Sequence, residues 1–255
     1  MAKALHSGRA AQSGLLAALL ARTGYTGIAG VLDSGYGRFF DAFVGGPGAG
    51  DWTAALGERW ETLDVGYKLA PASNGSITAM HTLGRVMAQH RLEAEDIDRI
   101  VAYVSTNTYH HCGFEFDARS GSVLGAQMSV RYGLAVMAFD KRATPAQFAP
   151  ERMREARLAA FLPRIELRVS PEFDAPGGEL RLACRLEVHC KDGRILVDES
   201  LYRKGSVEDP VSFTEIEEKF HGLAVPILGA EKTAACIARI RTLENEAKVG
   251  NPLET

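Results

Sequence analysis

The chain has 255 residues, 46% hydrophobic and 24% charged, with 29 Lys+Arg against 32 Asp+Glu. That much apolar side chain can offset the entropy of ordering, which excludes a disordered chain, and the balance lacks the basic excess or basic tract of a general nucleic-acid binder. The length allows one large domain or two of ordinary size.

No apolar run approaches the roughly 18 residues needed to span a bilayer. The densest stretch, Leu15 to Ala21, lies between Arg9 and Arg22 and lacks the ordered regions of a secretory signal. The expectation is therefore a cytoplasmic protein with no membrane partner. Cys112, Cys184, Cys190 and Cys236 form no CxxC pair and no dense spacing, and they read as reduced thiols.

In chain order, Lys3 to Thr23 is rich in Ala and Leu and ends at Gly24. This predicts a helix closed by a left-handed glycine, with a small-residue face suited to packing among other helices. A Gly-rich region follows to Gly50, interrupted by the apolar piece Phe39 to Val44. Its Gly45–Gly50 run lacks the Gly-Lys-Ser/Thr ending of a phosphate loop and reads as a connection. Glu61 to Leu69 is predicted as a strand, Pro71 to Gly75 as a turn and Ser76 to His90 as a helix. Ile97 to Ser105 reads as a strand, Thr106 to Ser120 as a polar loop and Ser122 to Asp140 as one apolar helix. Thr144-Pro145-Ala146-Gln147 fits a capping box with Pro in the first turn, and a helix is expected from Pro150 to Phe161.

The clearest strand signal lies between Glu179 and Lys191, where Leu180, Leu182, Cys184, Leu186, Val188 and Cys190 alternate with polar residues. Asp192-Gly193 is a hairpin turn signal, with Ile195 to Arg203 as the returning strand. Ile165 to Ser170 is expected to join the same sheet. Ser212-Phe213-Thr214-Glu215 is a second capping box opening a helix, and Glu231 to Ala247 is predicted as the last. The order implies an α+β chain, with an incomplete all-helical domain framing an inserted α/β domain. The expected boundaries are 1–58, 59–206 and 207–255.

Several residues could carry chemistry. Lys3 and His6 share one face of the first helix near its N-terminus and could together hold a carboxylate. Lys68 stands just before a Pro/Gly turn that opens a helix, a location suited to anion binding. His110, in the polar loop, could touch a substrate. His110-His111-Cys112 is a poor metal site, because adjacent residues rarely reach one ion and no second ligand cluster is near. Cys184 and Cys190 fall on the inward face of their strand while His189 points outward. No metal site is expected.

Several stretches carry a resemblance. They are Lys3-Ala4-Leu5-His6-Ser7-Gly8-Arg9-Ala10-Ala11 with Gly14, Tyr67-Lys68-Leu69-Ala70-Pro71 with Asn74-Gly75-Ser76-Ile77, and Gln127-Met128-Ser129-Val130-Arg131-Tyr132. Lys191-Asp192-Gly193-Arg194 through Lys204-Gly205, and Asp209-Pro210 through Lys219-Phe220, complete the set. In this order they resemble motifs of the MmgE/PrpD family, a family of dehydratases, decarboxylases and epimerases that includes 2-methylcitrate dehydratase. The resemblance implies a helical domain with an α/β lid and a site between them. It also implies a small di- or tricarboxylic acid substrate and no required metal or organic cofactor. Lys3 and Lys68 match the two family lysines, and Tyr67 and Asn74 fall within the second lysine motif. The family pattern has a His about nine residues after that lysine, where Ile77 and Thr78 stand here, and His81 falls one turn later.

The chain is expected to begin where the family's helical domain is already more than half built. The proton-transferring residues would then come from an N-terminal half or a partner chain, and a homodimer or such a complex is the expected assembly. On this reading Lys3 and Lys68 hold carboxylates and stabilise charge on an enolate-like intermediate. The alternative is a catalytically inactive remnant serving as an assembly or interaction module.

Overall fold

The computed structural model describes residues 2–28, 30–32, 39–44, 54–119 and 121–245. The chain divides into two compact units, Met1–Trp60 and Glu61–Thr255.

The first unit carries helix α1 (Ala2–Arg22) and the short helix α2 (Phe39–Val44). Its sequence signal was accurate at the C-terminus. Gly24 adopts φ +90° and its N–H reaches Ala21 O at 3.0 Å, so a glycine closes the last turn without a Cβ penalty. The small-residue face, expected to pack among helices, is exposed from Leu5 to Arg22. The Gly45–Gly50 connection lies outside the described residues.

The second unit is built around α3 (Asn74–His90), β1 (Ile97–Val104), α4 (Thr106–Cys112), α5 (Val123–Met128) and α6 (Val130–Asp140). Two short helices follow, α7 (Pro150–Met153) and α8 (Ala156–Phe161), then β2 (Ile165–Val169), β3 (Cys184–Cys190) and β4 (Ile195–Ser200). Helices α9 (Phe213–Leu228) and α10 (Ala230–Arg241) end the described fold, which is α+β as the element order implied. The strands form one sheet in the order β2-β1-β3-β4, with β1 and β2 parallel and the other pairs antiparallel.

The alternation read in β3 is the reason the sheet has one buried face. Cys184, Leu186, Val188 and Cys190 are buried while Arg185, Glu187 and His189 between them are only partly so. On the buried side α3 and α6 lie together at small residues. A Cβ on Gly133 would stand 2.8 Å from Met80 Sδ, and one on Gly84 would stand 3.2 Å from Met137 Cε. Removing those two β-carbons lets the helices approach closely over Ile100, Ala102, Leu186 and Val188, all of which have essentially no exposure. Tyr132, fully buried, packs edge-on against Phe116 and beside Phe148, aromatic geometries that add to area burial.

Six sequence expectations change in the folded chain. Glu61 to Leu69 is not a strand: it holds a 3-10 turn at Glu61–Asp64 and then an extended segment outside the sheet, pinned as described below. Thr106 to Ser120 is not all loop, because α4 forms at its start. Ser105 Oγ caps Thr108 N at 3.1 Å, and Asp174, far away in sequence, accepts from Thr106 N at 2.9 Å and Thr106 Oγ1 at 2.6 Å. The single helix expected from Ser122 to Asp140 breaks at Ser129, whose extended ψ of 121° ends α5 and whose Oγ caps α6. The helix from Pro150 to Phe161 breaks at Arg154 and Glu155.

The strand expected from Glu179 begins only at Cys184. The Arg181 carbonyl is taken by Ser105 Oγ (2.6 Å) and Thr108 Oγ1 (3.0 Å) rather than by a ladder. The returning strand stops at Ser200, where the Ser200 and Thr82 hydroxyl oxygens meet at 2.8 Å. Both capping boxes and the Asp192-Gly193 turn form as read.

Candidate functional site

The site centres on the turn that leads into α3. Ser73 caps the helix, its Oγ accepting from Ser76 N at 3.2 Å, and Ser73 N donates to Gln127 O at 2.8 Å. That bond ties the turn to α5. Beside the turn is a cavity of about 380 Å³ lined by Lys68, Leu69, Pro71, Thr144, Lys219 and Leu223, among others. The size falls in the range of small-molecule sites. Its walls are largely hydrocarbon, with two lysines and Glu218 as the charged groups.

Each wall is fixed by a nameable contact. The Thr144–Phe148 turn is closed by its capping box, in which Gln147 Oε1 accepts from Thr144 N at 2.9 Å. The same turn is held from behind by Tyr132, whose hydroxyl donates to Gln147 O at 2.6 Å. Burial pushes the Tyr132 phenol up to about 12, so it stays a donor at any ordinary pH. On the opposite wall, Ser212 and Glu215 cap α9 reciprocally, which sets the phase that brings Glu218, Lys219, Gly222 and Leu223 to the cavity. Lys219 Nζ donates to Lys68 O at 2.6 Å. Lys68 Nζ reaches back to Ala72 O at 3.1 Å, which holds its ammonium group beside the turn.

The other expected site residues are distributed as follows. Tyr67 precedes Lys68 and is 52% exposed. Asn74 begins α3; its Oδ1 is buried without a hydrogen-bond partner, and its carbonyl accepts from Thr78 Oγ1 at 3.2 Å. His110 is exposed on α4, not on a loop, with its ring edge-on to Tyr109. In the other unit, His6 is exposed on α1. Lys3 falls in the first turn of α1, and its side chain lies outside the described residues. Among the expected residues whose side chains are described, Lys68 is the one that lines the cavity.

Two functional-looking residues escaped the sequence reading. Lys219 stands in the stretch from Asp209-Pro210 to Lys219-Phe220, and its spacing from the Ser212 cap is the signal that marks it. His81, noted as one turn late, is half-buried beside Arg85 on α3 and the loop and helix bearing Lys204, Asp209 and Glu215. Burial and the Arg85 charge hold its imidazole below the ordinary value, Lys204 adding to them against Asp209 and Glu215. Its Nδ1 has no hydrogen-bond partner.

Among the described residues, no group of three or more His, Cys, Asp or Glu side chains is placed to hold a metal ion. His111 Nδ1 lies 2.9 Å from Asn107 O and Cys112 is buried, so the His110-His111-Cys112 run does not converge. Among the described residues no helix is long and apolar enough to cross a membrane.

An α+β unit with a one-sided mixed sheet and a lysine-bearing turn at a helix start is the class of structure these elements define. The model of the MmgE/PrpD C-terminal domain matches residues 71–245, and the chain belongs to the MmgE/PrpD family. Over 99% of its length it is 29% identical to a cis-aconitate decarboxylase-like protein, oryM, of Aspergillus oryzae, covering 54% of that protein. It is 30% identical, over 88% of its length, to the cis-aconitate decarboxylase of Aspergillus terreus, covering 48% of it. It is also 27% identical, over 95% of its length, to that of Homo sapiens, covering 50%. The chain spans about half the length of these curated relatives.

Proposed function

We propose that the chain supplies the carboxylate-holding part of a lyase that works at the carbon α to a carboxylate of a small di- or tricarboxylic acid. The observation that carries this reading is the cavity of about 380 Å³ with apolar walls, lined by Lys68 and Lys219 against the single carboxylate of Glu218. Hydrocarbon walls suit a short carbon skeleton, and ammonium groups at a partly desolvated site hold carboxylates with less competition from water. The names of the relatives, cis-aconitate decarboxylases, support a tricarboxylate such as cis-aconitate. Dehydration and epimerisation begin with loss of the same kind of α-proton and decarboxylation leaves the same enolate-like charge, so all three belong to the reading.

In this scheme Lys68 and Lys3 bind carboxylates and stabilise that charge, with Tyr67, Asn74, His6 and His110 contacting substrate and no metal or organic cofactor taking part. The general base comes from an N-terminal-half polypeptide or a partner chain, in a complex or a homodimer. Residues 1–58 and 207–255 would be pieces of a helical domain and 59–206 the lid. The second reading, an assembly module without catalysis, is favoured by one feature: Ile227 is 83% and Leu223 42% exposed along α9.

A thermal-shift series with citrate, cis-aconitate and succinate tests the reading. Ligand at about a hundred times its Kd adds about 2.7 kcal/mol of stability, which in a unit of this size raises the melting temperature by about 5–10 °C. Lys68→Ala should cut the shift to a fraction of its size. An undiminished shift removes Lys68 from the site, and no shift with any acid favours the assembly reading. Full turnover by the isolated chain would refute the need for a second polypeptide.

A further inference from the structure

We propose that Arg203 is the positioning residue of Lys68: it clasps the peptide group preceding that lysine and so fixes the direction in which its side chain leaves the backbone. The inference rests on the reading of Lys68 as a carboxylate-holding group.

The segment that carries Lys68 belongs to no sheet or helix, so nothing regular sets its conformation. It is held instead by one turn. Tyr67 N donates to Gly205 O at 2.6 Å, and the Arg203 guanidinium donates to Tyr67 O, to Lys204 O at 2.9 Å and to Gly205 O at 3.1 Å. Arg203 is 7% exposed, and burial holds its guanidinium below the ordinary value. A buried guanidinium is ordinarily neutralised by a carboxylate. Among the described residues no carboxylate lies within ion-pair distance of Arg203; the Glu208 charge acts on it from farther off, opposing the effect of burial, and its donors go to three backbone carbonyls. An arginine used in this way binds chiefly a chain conformation.

Two glycines make the approach possible. A Cβ on Gly66 would stand 2.5 Å from Arg203 Nη2 and 2.8 Å from Gly205 O. Gly205 has φ +86°, and a Cβ there would fall on Tyr67 O. On the far side of Lys68, Lys219 Nζ takes Lys68 O at 2.6 Å. The peptide groups before and after the Lys68 Cα are therefore both anchored, the first by Arg203 and the second by a cavity residue. With both fixed, the Cα–Cβ direction of Lys68 is fixed as well. Anchoring of this kind is what keeps a binding group from paying its ordering entropy at each encounter.

The test combines hydrogen exchange with a double-mutant cycle in the full chain, using citrate as the probe. Arg203→Met is expected to speed exchange of the Tyr67 amide about tenfold or more, with the β1 and β3 amides unchanged. It is expected to weaken citrate binding about tenfold, while Arg203→Lys, which keeps a donor, restores part of both. In a Lys68→Ala background the further effect of Arg203→Met on citrate should vanish, because it acts through the lysine. If Arg203→Met does not fold, Gly66→Ala presses on the same contact and should give the same pattern. Unchanged Tyr67 exchange overturns the clasp. Faster exchange with undiminished citrate binding, or an equal loss with and without Lys68, overturns the positioning role. If the unsubstituted chain binds no citrate, the carboxylate reading fails, and Tyr67 exchange alone decides the clasp.

Discussion

Tyr132→Phe isolates the bond that holds one cavity wall. The hydroxyl is buried, donates to Gln147 O at 2.6 Å, and sits on a ring with no exposure between Phe116 and Phe148. Removing the oxygen keeps the ring packing but leaves a buried carbonyl without its donor, which costs about 1–3 kcal/mol. In a unit of this size that lowers the melting temperature by roughly 2–12 °C. The alkaline limb supplies an independent check. The folded phenol is raised to about 12 from an ordinary 10, so the native state binds the proton more tightly than the unfolded chain. The stability linked to it is fully present below pH 10 and is lost as pH rises toward 12. Urea unfolding at pH 7.5 and pH 11 should therefore show a gap between the two proteins that narrows at the higher pH. A gap below about 0.5 kcal/mol at pH 7.5, typical of a surface change, or one that does not narrow, would refute the assignment of this bond.

Three further outcomes follow from the geometry. His81 is held below its ordinary 6.5, first by burial and then by Arg85. Its contribution is present above pH 6.5 and is lost as pH falls below it; the drop in urea midpoint from pH 7.5 to 5.5 should shrink in His81→Gln, and equal drops would exclude His81 as its source. Cys184 is fully buried and its thiol is pushed up by burial and by Glu199. It should resist iodoacetamide in the native protein and react in urea, as peptide mass spectrometry can establish; modification at equal rates in both would contradict its burial. Arg91 ends α3 at φ 53°, a left-handed conformation that costs a side-chain-bearing residue energy, so Arg91→Gly should raise stability by about 0.5–1 kcal/mol in denaturant titrations. Lys141, at φ 54° after α6, should gain less from the same change because its Nζ pairs with Glu93 at 2.5 Å.

Local chemistry was readable at several places where its partners lie close in sequence, though not at the Ser105 and Ser129 caps. The Ser212 and Thr144 capping boxes, the Gly24 helix end, the Asp192-Gly193 hairpin and the buried face of β3 all depend on residues within a few positions of one another. They survive folding because no tertiary contact competes for the same groups. The place of Lys68 beside the turn into α3 was legible for the same reason, since Pro71 and the Ser73 cap lie within five residues of it.

What the tertiary structure decided are the groups whose partners are far away. Arg181 O was lost to the β3 ladder because Ser105 and Thr108 take it, and α4 arose in a polar stretch because Asp174 satisfies its first N–H. Tyr67 and Lys68 left the predicted strand because their peptide groups are bonded to Gly205, Arg203 and Lys219, more than 130 residues on. The amino-acid sequence by itself determined the periodic elements, the α+β class and the family resemblance. Only the folded chain could bring Lys219 to Lys68 and turn Arg203 inward, because a backbone carbonyl leaves no trace in composition or spacing of the distant donor that will satisfy it.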